Sequence, residues 1–416
     1  SDLPALREVA GDAATYIGTE STYGATPPTY RCMPLAGTVD FDYSKTEHEN
    51  SDERARLYQR LANVTTLKKW TGKLSHRLKP DLVQLTGAGS PTTTLPCGIL
   101  LKNAFGIEQA AAGTTVSTAA SGTAVTATSG TNIAIGTWQI FDAGSSTYVP
   151  CPVINKATND LTLGLTIGAT PAGASIINNM YNYVPDPDLT NSITIQHAKA
   201  GNSNYQWTWN GGRVSEFGLS FPRGDMVQMD LSFEGSTWTP PTSQSLVTTP
   251  PTELEGVPFS GINGAIVLLQ ASSATTRTAY RLYSVSYQFQ VGTILLPEYG
   301  GVEGVGSNFR NGPDNRTFVT ATVRIYADTE MDTNWSTQVN LRFAILVPYG
   351  TTTTKRWLVA DMPTCQSIRT PRVVKENNMV LYELTLAAFE NSTTTTSGLS
   401  GTNLKIATAP FILAMG

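Results

Sequence analysis

Any chemistry in this chain would have to come from few residues. There are three histidines, His48, His76 and His197, none within an HExxH pattern and none beside a GxSxG serine. Cys32, Cys97, Cys151 and Cys365 lie far apart, with no CxxC and no paired histidine, so a zinc site has no ligand set and the thiols read as reduced packing residues. Glycoside hydrolysis needs two carboxylates held at a fixed separation, and nothing in the spacing marks such a pair. Trp207, Trp209 and Trp357 could line a sugar groove, but tryptophans at strand spacing also fill sandwich cores and interfaces. The glycine-rich stretches follow no phosphate-cradling spacing. The chain therefore reads as a non-enzyme without cofactor or metal.

Charge narrows the classes further. Only 14% of the 416 residues are charged, against about 25% in an average soluble domain. The 28 basic residues fall short of the 32 acidic ones, giving a net charge of −4. A protein that grips phosphates carries a basic excess, so contact with DNA is expected to be passage and not binding. The N-terminus shows no basic region followed by an apolar run, and no stretch of 18 apolar residues occurs, so neither a signal peptide nor a membrane span is expected.

The elements that would have to position these residues are mostly strands. Residues 1–35 hold Gly, Pro and Thr without periodicity and read as an extended arm. GTVDFDYSK (37–45) alternates as a strand, the charged segment 46–61 reads as a solvated loop or hairpin tip, and 65–78 alternates again. TTTLPCGILLKNAFG (92–106) carries helix punctuation, with Thr94 as N-cap, Pro96 in the first turn and Gly106 at the stop. The nearly uncharged stretch 107–180 contains strand patterns at 138–141, 148–154 and 161–167 and reads as a small folded all-β insertion. VSEFGLSF and MVQMDLSF, joined through Pro222-Arg223-Gly224-Asp225, form a hairpin pattern. The expected division is 1–35 arm; 36–106 with 181–238 first β domain; 107–180 inserted module; 239–262 Pro- and Thr-rich linker; 263–392 second β domain; 393–416 C-terminal segment.

The two domains look like copies of one unit. Residues 193–236 and 341–392 share the order strand, polar turn, Trp-bearing strand, edge strand, turn, long alternating strand, and Met226-Val227 and Met379-Val380 open the last strand of each. Upstream, VDFDYSK followed by LKKWTGKLSHRL matches SVSYQFQ followed by TFVTATVRIYAD. The offsets are 246 residues upstream (Phe41 to Tyr287) and 153 downstream (Met226 to Met379). The insertion and the helix account for the difference. The fold class expected is mainly β: two tandem β-sandwich, barrel-forming domains with one short helix and an inserted small β module.

Three segments resemble the tail tube (major tail) protein family of long-tailed bacteriophages in its longer, two-domain form. Glu20-Ser-Thr-Tyr-Gly24 is similar to the family's N-terminal arm, GGRVSEFGLSFPRGDMVQMDLSFEGS (211–236) to its hairpin, and FVTATVRIYADTE (318–330) to the second-half strand with an acidic end. The resemblance implies a virion structural protein, assembled in the host bacterial cytoplasm, in which one sheet joins its neighbours into a barrel around a lumen. It implies trimeric, pseudo-sixfold stacked rings, with a tape measure protein, a tail terminator and distal tail proteins as partners. The excursions 45–64 and 292–317 would then reach the next ring, the first through Glu47, Glu49, Asp52, Glu53, Arg54, Arg56 and Arg60, whose mixed charges could set register between rings. Asp230 and Glu383 are the candidate lumen carboxylates. The alternative is a phage capsid decoration protein or a carbohydrate-binding adhesion sandwich.

Overall fold

The computed structural model describes residues 13–33, 39–48, 64–79, 96–110, 113–131, 133–142, 148–173, 176–178, 180–186, 191–199, 205–222, 224–243, 258–260, 265–277, 279–280, 282–290, 293–294, 310–311, 318–326, 340–350 and 356–416. The fold is mainly β and its ladders are antiparallel. The helix expected at 92–106 runs Pro96–Phe105 and ends at Gly106, whose φ of 96° suits a residue without Cβ. Thr94 lies outside the described residues. A second helix, Gly401–Thr408, was not apparent in the sequence.

One long sheet organises the molecule. Asp40–His48 pairs with Val64–Arg77, which pairs with Gln228–Gly235, which pairs with the C-terminal half of Tyr205–Phe221. That half then pairs with Leu282–Gln290, and the ladder continues through Phe318–Tyr326 and Met379–Ala388 to Arg372–Glu376. It is two four-stranded units joined edge to edge. Their registers reproduce the sequence offsets. Phe41 stands opposite Gly72, and Gly72 opposite Phe233. Tyr287 stands opposite Ala321, and Ala321 opposite Leu386. Tyr287 is 246 positions after Phe41, and Leu386 is 153 after Phe233.

Period-2 alternation gives this sheet one apolar and one polar face. Trp70, Leu74, Phe217, Leu231, Phe233, Tyr287, Phe289, Val323 and Leu384 enter one continuous core shared by both units. Phe105, from the first helix, packs edge-on against Phe217 and Phe289, the pair that faces across the junction of the two units. Lys73, Ser75, Asp230, Ser232, Ser286, Gln288, Thr320 and Thr322 lie on the uncovered face.

A second layer closes the core. In the first unit it comprises Ala13–Thr19, Ile193–Lys199, the N-terminal half of Tyr205–Phe221 and Thr237–Ser243. The 17-residue strand Tyr205–Phe221 serves both layers by bending at Gly211 and Gly212. Gly211 has φ 65°, and a Cβ there would stand 2.8 Å from the Tyr23 ring. In the second unit the layer comprises Ile266–Ala271, Leu341–Tyr349, Arg356–Ser367, Ile412–Met415, Tyr181–Pro185 and Gly106–Ala110.

Three boundaries need correction. Within 1–35, Ala13–Thr19 is no free arm: it lies between Ile193–Lys199 and Arg31–Met33, with Tyr16 and Ile17 buried. The sheet strand Thr237–Ser243 runs into the expected linker 239–262, where Phe259 is also buried with its amide bonded to the Leu78 carbonyl; prolines at a strand edge disguised the first of these. Residues 244–257 lie outside the description. The insertion starts later than 107, because Gly106–Ala110 pairs with Tyr181–Pro185 in the host sheet.

The insertion is a folded β module, as its aromatic and β-branched content indicated. Its strands follow the order Thr114–Thr115, Ile176–Asn178, Trp138–Asp142, Tyr148–Ala157, Asp160–Thr170, Ala120–Thr126. A Val116–Ala127 bridge and backbone bonds from Ser117 to Thr126 and from Thr128 to Thr115 join the last strand to the first, so the small barrel closes. Its core is shared with Leu268, Ala344, Leu346, Trp357, Val359 and Ile406 of the second unit. Leu341–Tyr349 and Arg356–Ser367 therefore bury both faces, which explains their apolar runs, interrupted by the buried charges Arg342 and Asp361.

Candidate assembly surface

The long sheet ends in two unlike edges. On one side, Asp40–His48 presents exposed Asp40 and Asp42 on the polar face and half-buried Phe41 and Tyr43 on the other, Phe41 stacked on Trp209 and Tyr43 tilted against Trp238. On the other side, the five-residue strand Arg372–Glu376 pairs, among the described residues, with Met379–Ala388 alone. Its Val373 is 62% exposed although it projects toward the apolar face.

The polar face carries charges of both signs, with an acidic excess near the first edge. A recess of about 270 Å³ near the first edge is lined by Asp40, Asp42, Lys73, Glu216 and Glu234 among neutral neighbours. Across the sheet, Arg324 binds Glu383 at 2.8 Å and Glu376 at 3.1 Å, and Arg372 approaches Glu383 at 3.8 Å. Asp230 and Glu383 both lie on this face and, 153 positions apart, occupy equivalent places in the two units. Their surroundings differ. Asp230 accepts from the Ser75 hydroxyl and the Gln228 amide, and no ion pair joins it among the described residues. Glu383 is held between arginines. Its position directly opposite Arg324 and Arg372 in the ladder, a long-range pairing, neutralises it.

Of the residues expected to join stacked copies, Glu47 falls in the strand Asp40–His48, opposite Thr65. Glu49, Asp52, Glu53, Arg54, Arg56 and Arg60 lie outside the described residues. From the excursion 292–317, the described part is a small ladder of Thr293–Ile294 with Arg310–Asn311.

The residues that could have served catalysis are dispersed. His76 is buried, and His197 bonds the Thr15 hydroxyl at 3.1 Å. The tryptophans form no sugar groove: Trp209 and Trp357 are buried and Trp207 packs against the core. Cys97, Cys151 and Cys365 are buried, and burial raises the thiols of Cys151 and Cys365 above the ordinary range. Among the described residues no group of His, Cys, Asp and Glu could hold a metal ion, and no helix is long and apolar enough to cross a membrane.

Two buried carboxylates went unnoticed in the sequence. Glu20, first residue of Glu20-Ser-Thr-Tyr-Gly24, accepts from the Gly24 amide (2.8 Å), the Ser192 hydroxyl (2.6 Å), the Thr194 hydroxyl (2.7 Å) and the Gly211 amide (2.7 Å). Tyr23 donates to Ser236 at 2.6 Å, and burial pushes its hydroxyl up to about 12. The segment is thus a clasp over the bend of the long strand. Asp361 is paired with Arg342 at 2.6 Å and accepts from the Trp138 indole at 2.8 Å, fastening the inserted module to the second unit. A lone acid inside WLVADM and a lone base inside LRFAILV were the available signals.

No protein-family model matches the chain, and no curated protein matches it.

Proposed function

We propose that this chain is a tail tube protein of a long-tailed bacteriophage, a non-enzymatic virion component that polymerises with itself into stacked rings around a channel for DNA. The observation that carries the reading is the pair of equivalent four-stranded units fused into one sheet, apolar on one side and, among the described residues, polar and uncovered on the other and unpaired at both ends. An open sheet with exposed edges is a template for further strands, and closing it into a barrel removes those edges. The polar face, with its paired arginines and its hydroxyls and amides, makes a wall with few cations to displace counterions from passing phosphates. Closed cyclic symmetry with two equivalent units per copy gives a trimeric, pseudo-sixfold ring. Tape measure, terminator and distal tail proteins are the partners this role requires.

Negative-stain electron microscopy of the purified chain at rising concentration, with native mass spectrometry of the rings, tests the reading. Hollow tubes or stacked rings of three copies are the expected result. Rings of six copies would overturn the duplicated-unit arrangement. A protein that stays monomeric would overturn self-assembly and bring the decoration or sugar-binding reading forward. Removal of 47–56 is expected to leave rings that do not stack.

A further inference from the structure

We infer that the two free edges of the long sheet pair with each other between copies in one defined register, with Arg372 opposite Asp42 and Val373 opposite Phe41 of the neighbouring copy. This rests on the self-assembling reading above and specifies the surface through which a second copy is recognised.

The template is inside the molecule. Where the first unit meets the second, Leu219 stands opposite Tyr287 and Gly218 opposite Gln288. Each of these has a counterpart at a free edge, and the ladders identify it. Leu219 pairs with Met229, Met229 is equivalent to Tyr382 by the 153-residue offset, and Tyr382 pairs with Val373. Gly218 likewise leads through Asp230 and Glu383 to Arg372. By the 246-residue offset, Tyr287 corresponds to Phe41 and Gln288 to Asp42. Repeating the internal junction between copies therefore sets Val373 against Phe41 and Arg372 against Asp42.

Three independent features agree with that register. The faces match, because Val373 and Phe41 both lie on the apolar side while Arg372 and Asp42 both lie on the polar side. Burial is complementary: Leu219 and Tyr287 are each 1% exposed at the internal junction, whereas Val373 is 62% exposed and Phe41 half-buried. The charges are opposite, where the internal junction has neutral Gly218 and Gln288. Arg372 is 74% exposed, its nearest recorded carboxylate is Glu383 at 3.8 Å, and Asp42 is exposed. Directly opposed residues of opposite charge favour a pairing and like charges disfavour it, so the external junction selects its register by charge as well as by shape.

Disulfide trapping tests the register. Full-length protein carrying Asp42→Cys and Arg372→Cys together is assembled, oxidised with copper phenanthroline and run without reductant, with each single substitution as control. In a Cys32→Ser background, covalent multimers up to the ring size are expected from the double variant and none from the singles, since the remaining native Cys97, Cys151 and Cys365 are buried. The combination Asp40→Cys with Arg372→Cys, a diagonal and not a directly opposed pair, should link several-fold less. Rings that form but link preferentially through the displaced pair, or through neither, would overturn the register and leave the tube reading standing. Absence of rings from the unsubstituted protein would overturn both. Charge reversal gives a second measure: Arg372→Glu and Asp42→Arg should each weaken ring formation about tenfold or more, and the two together should restore it. Two folded single variants whose combination fails to recover assembly would count against the pairing.

Discussion

Glu20 and Asp361 are both buried carboxylates, one in each half of the molecule, and each ties a separate stretch of chain to a host layer. They are neutralised differently. Glu20 receives four hydrogen bonds from two backbone amides and two hydroxyls, with no cation among them. Asp361 receives a two-point contact from Arg342, at 3.1 and 2.6 Å, and one bond from Trp138, with Arg342 also 5.1 Å from the Trp138 ring centroid. A cage of neutral dipoles asks each donor to lose little, and its failure is shared among four groups. A buried ion pair concentrates the consequence: remove one charge and the other is stranded in a medium that cannot solvate it. The clasp should therefore fail gradually and the module attachment abruptly.

The largest expected effect is at the ion pair. Asp361→Asn should destabilise the fold by about 3–5 kcal/mol, because Arg342 is 3% exposed and would lose its buried partner. Denaturant unfolding would measure it. Replacing both partners at once, Arg342→Met with Asp361→Leu, should be much milder or neutral; equal damage from the double change would erase the distinction drawn above.

Next comes Glu20→Ala, which leaves four donors without their acceptor and should cost about 2–3 kcal/mol. Amide exchange gives the local signature, with Gly24 and Gly211 losing protection first. Glu20→Gln should fall between, since an amide oxygen still accepts.

Smaller again is Tyr23→Phe, which removes the bond to Ser236 and should cost about 1 kcal/mol. It also carries a pH signature. The folded-state Tyr23 hydroxyl is raised from 10.0 to about 12, first by burial. Its stabilising contribution is thus complete below about 10 and lost as pH rises toward 12. Alkaline melts of the phenylalanine variant should show a shallower decline over that window.

The smallest effect belongs to Glu108, a partly buried carboxylate without a comparable cage. Burial raises its pKa, so its folded state favours the protonated form, and stability declines as pH rises through the folded-state value. Glu108→Gln should flatten that slope in thermal melts between mildly acidic and neutral pH.

Much of this was legible in sequence because period-2 alternation survives wherever one face is covered and the other is not. DFDY, KLSHR, SVSYQFQ and QMDLSF gave their strands, their register-related offsets and their inward residues. The helix could be read from Pro96 and Gly106. What stayed hidden was long-range. Nothing local says that NYQWTW and RVSEFGLSF are one strand bent at Gly211, because the bend is demanded by Tyr23 packed over it. Thr237–Ser243 looked like a linker because its prolines are tolerated only by a strand with one free side. The burial of Glu20 depends on donors 172 to 191 residues away. The edge residues Arg372 and Asp42 looked like ordinary surface charges until the ladders gave them counterparts.

The attachment points of the inserted barrel have a consequence for how the molecule could be remodelled. Ala110 and Tyr181 are directly opposed neighbours in an antiparallel pair, so the module enters and leaves the host within one strand spacing, about 5 Å. Cutting it out and closing the gap with a short turn would convert its two stems into a simple hairpin. The barrel closes on itself among the described residues, so a different closed domain could be spliced at the same site without offering new strands to passing chains. The limit is the shared floor: any replacement must present an apolar underside to Leu268, Leu346 and Trp357, or the exchange would uncover a sticky patch on every subunit of the polymer.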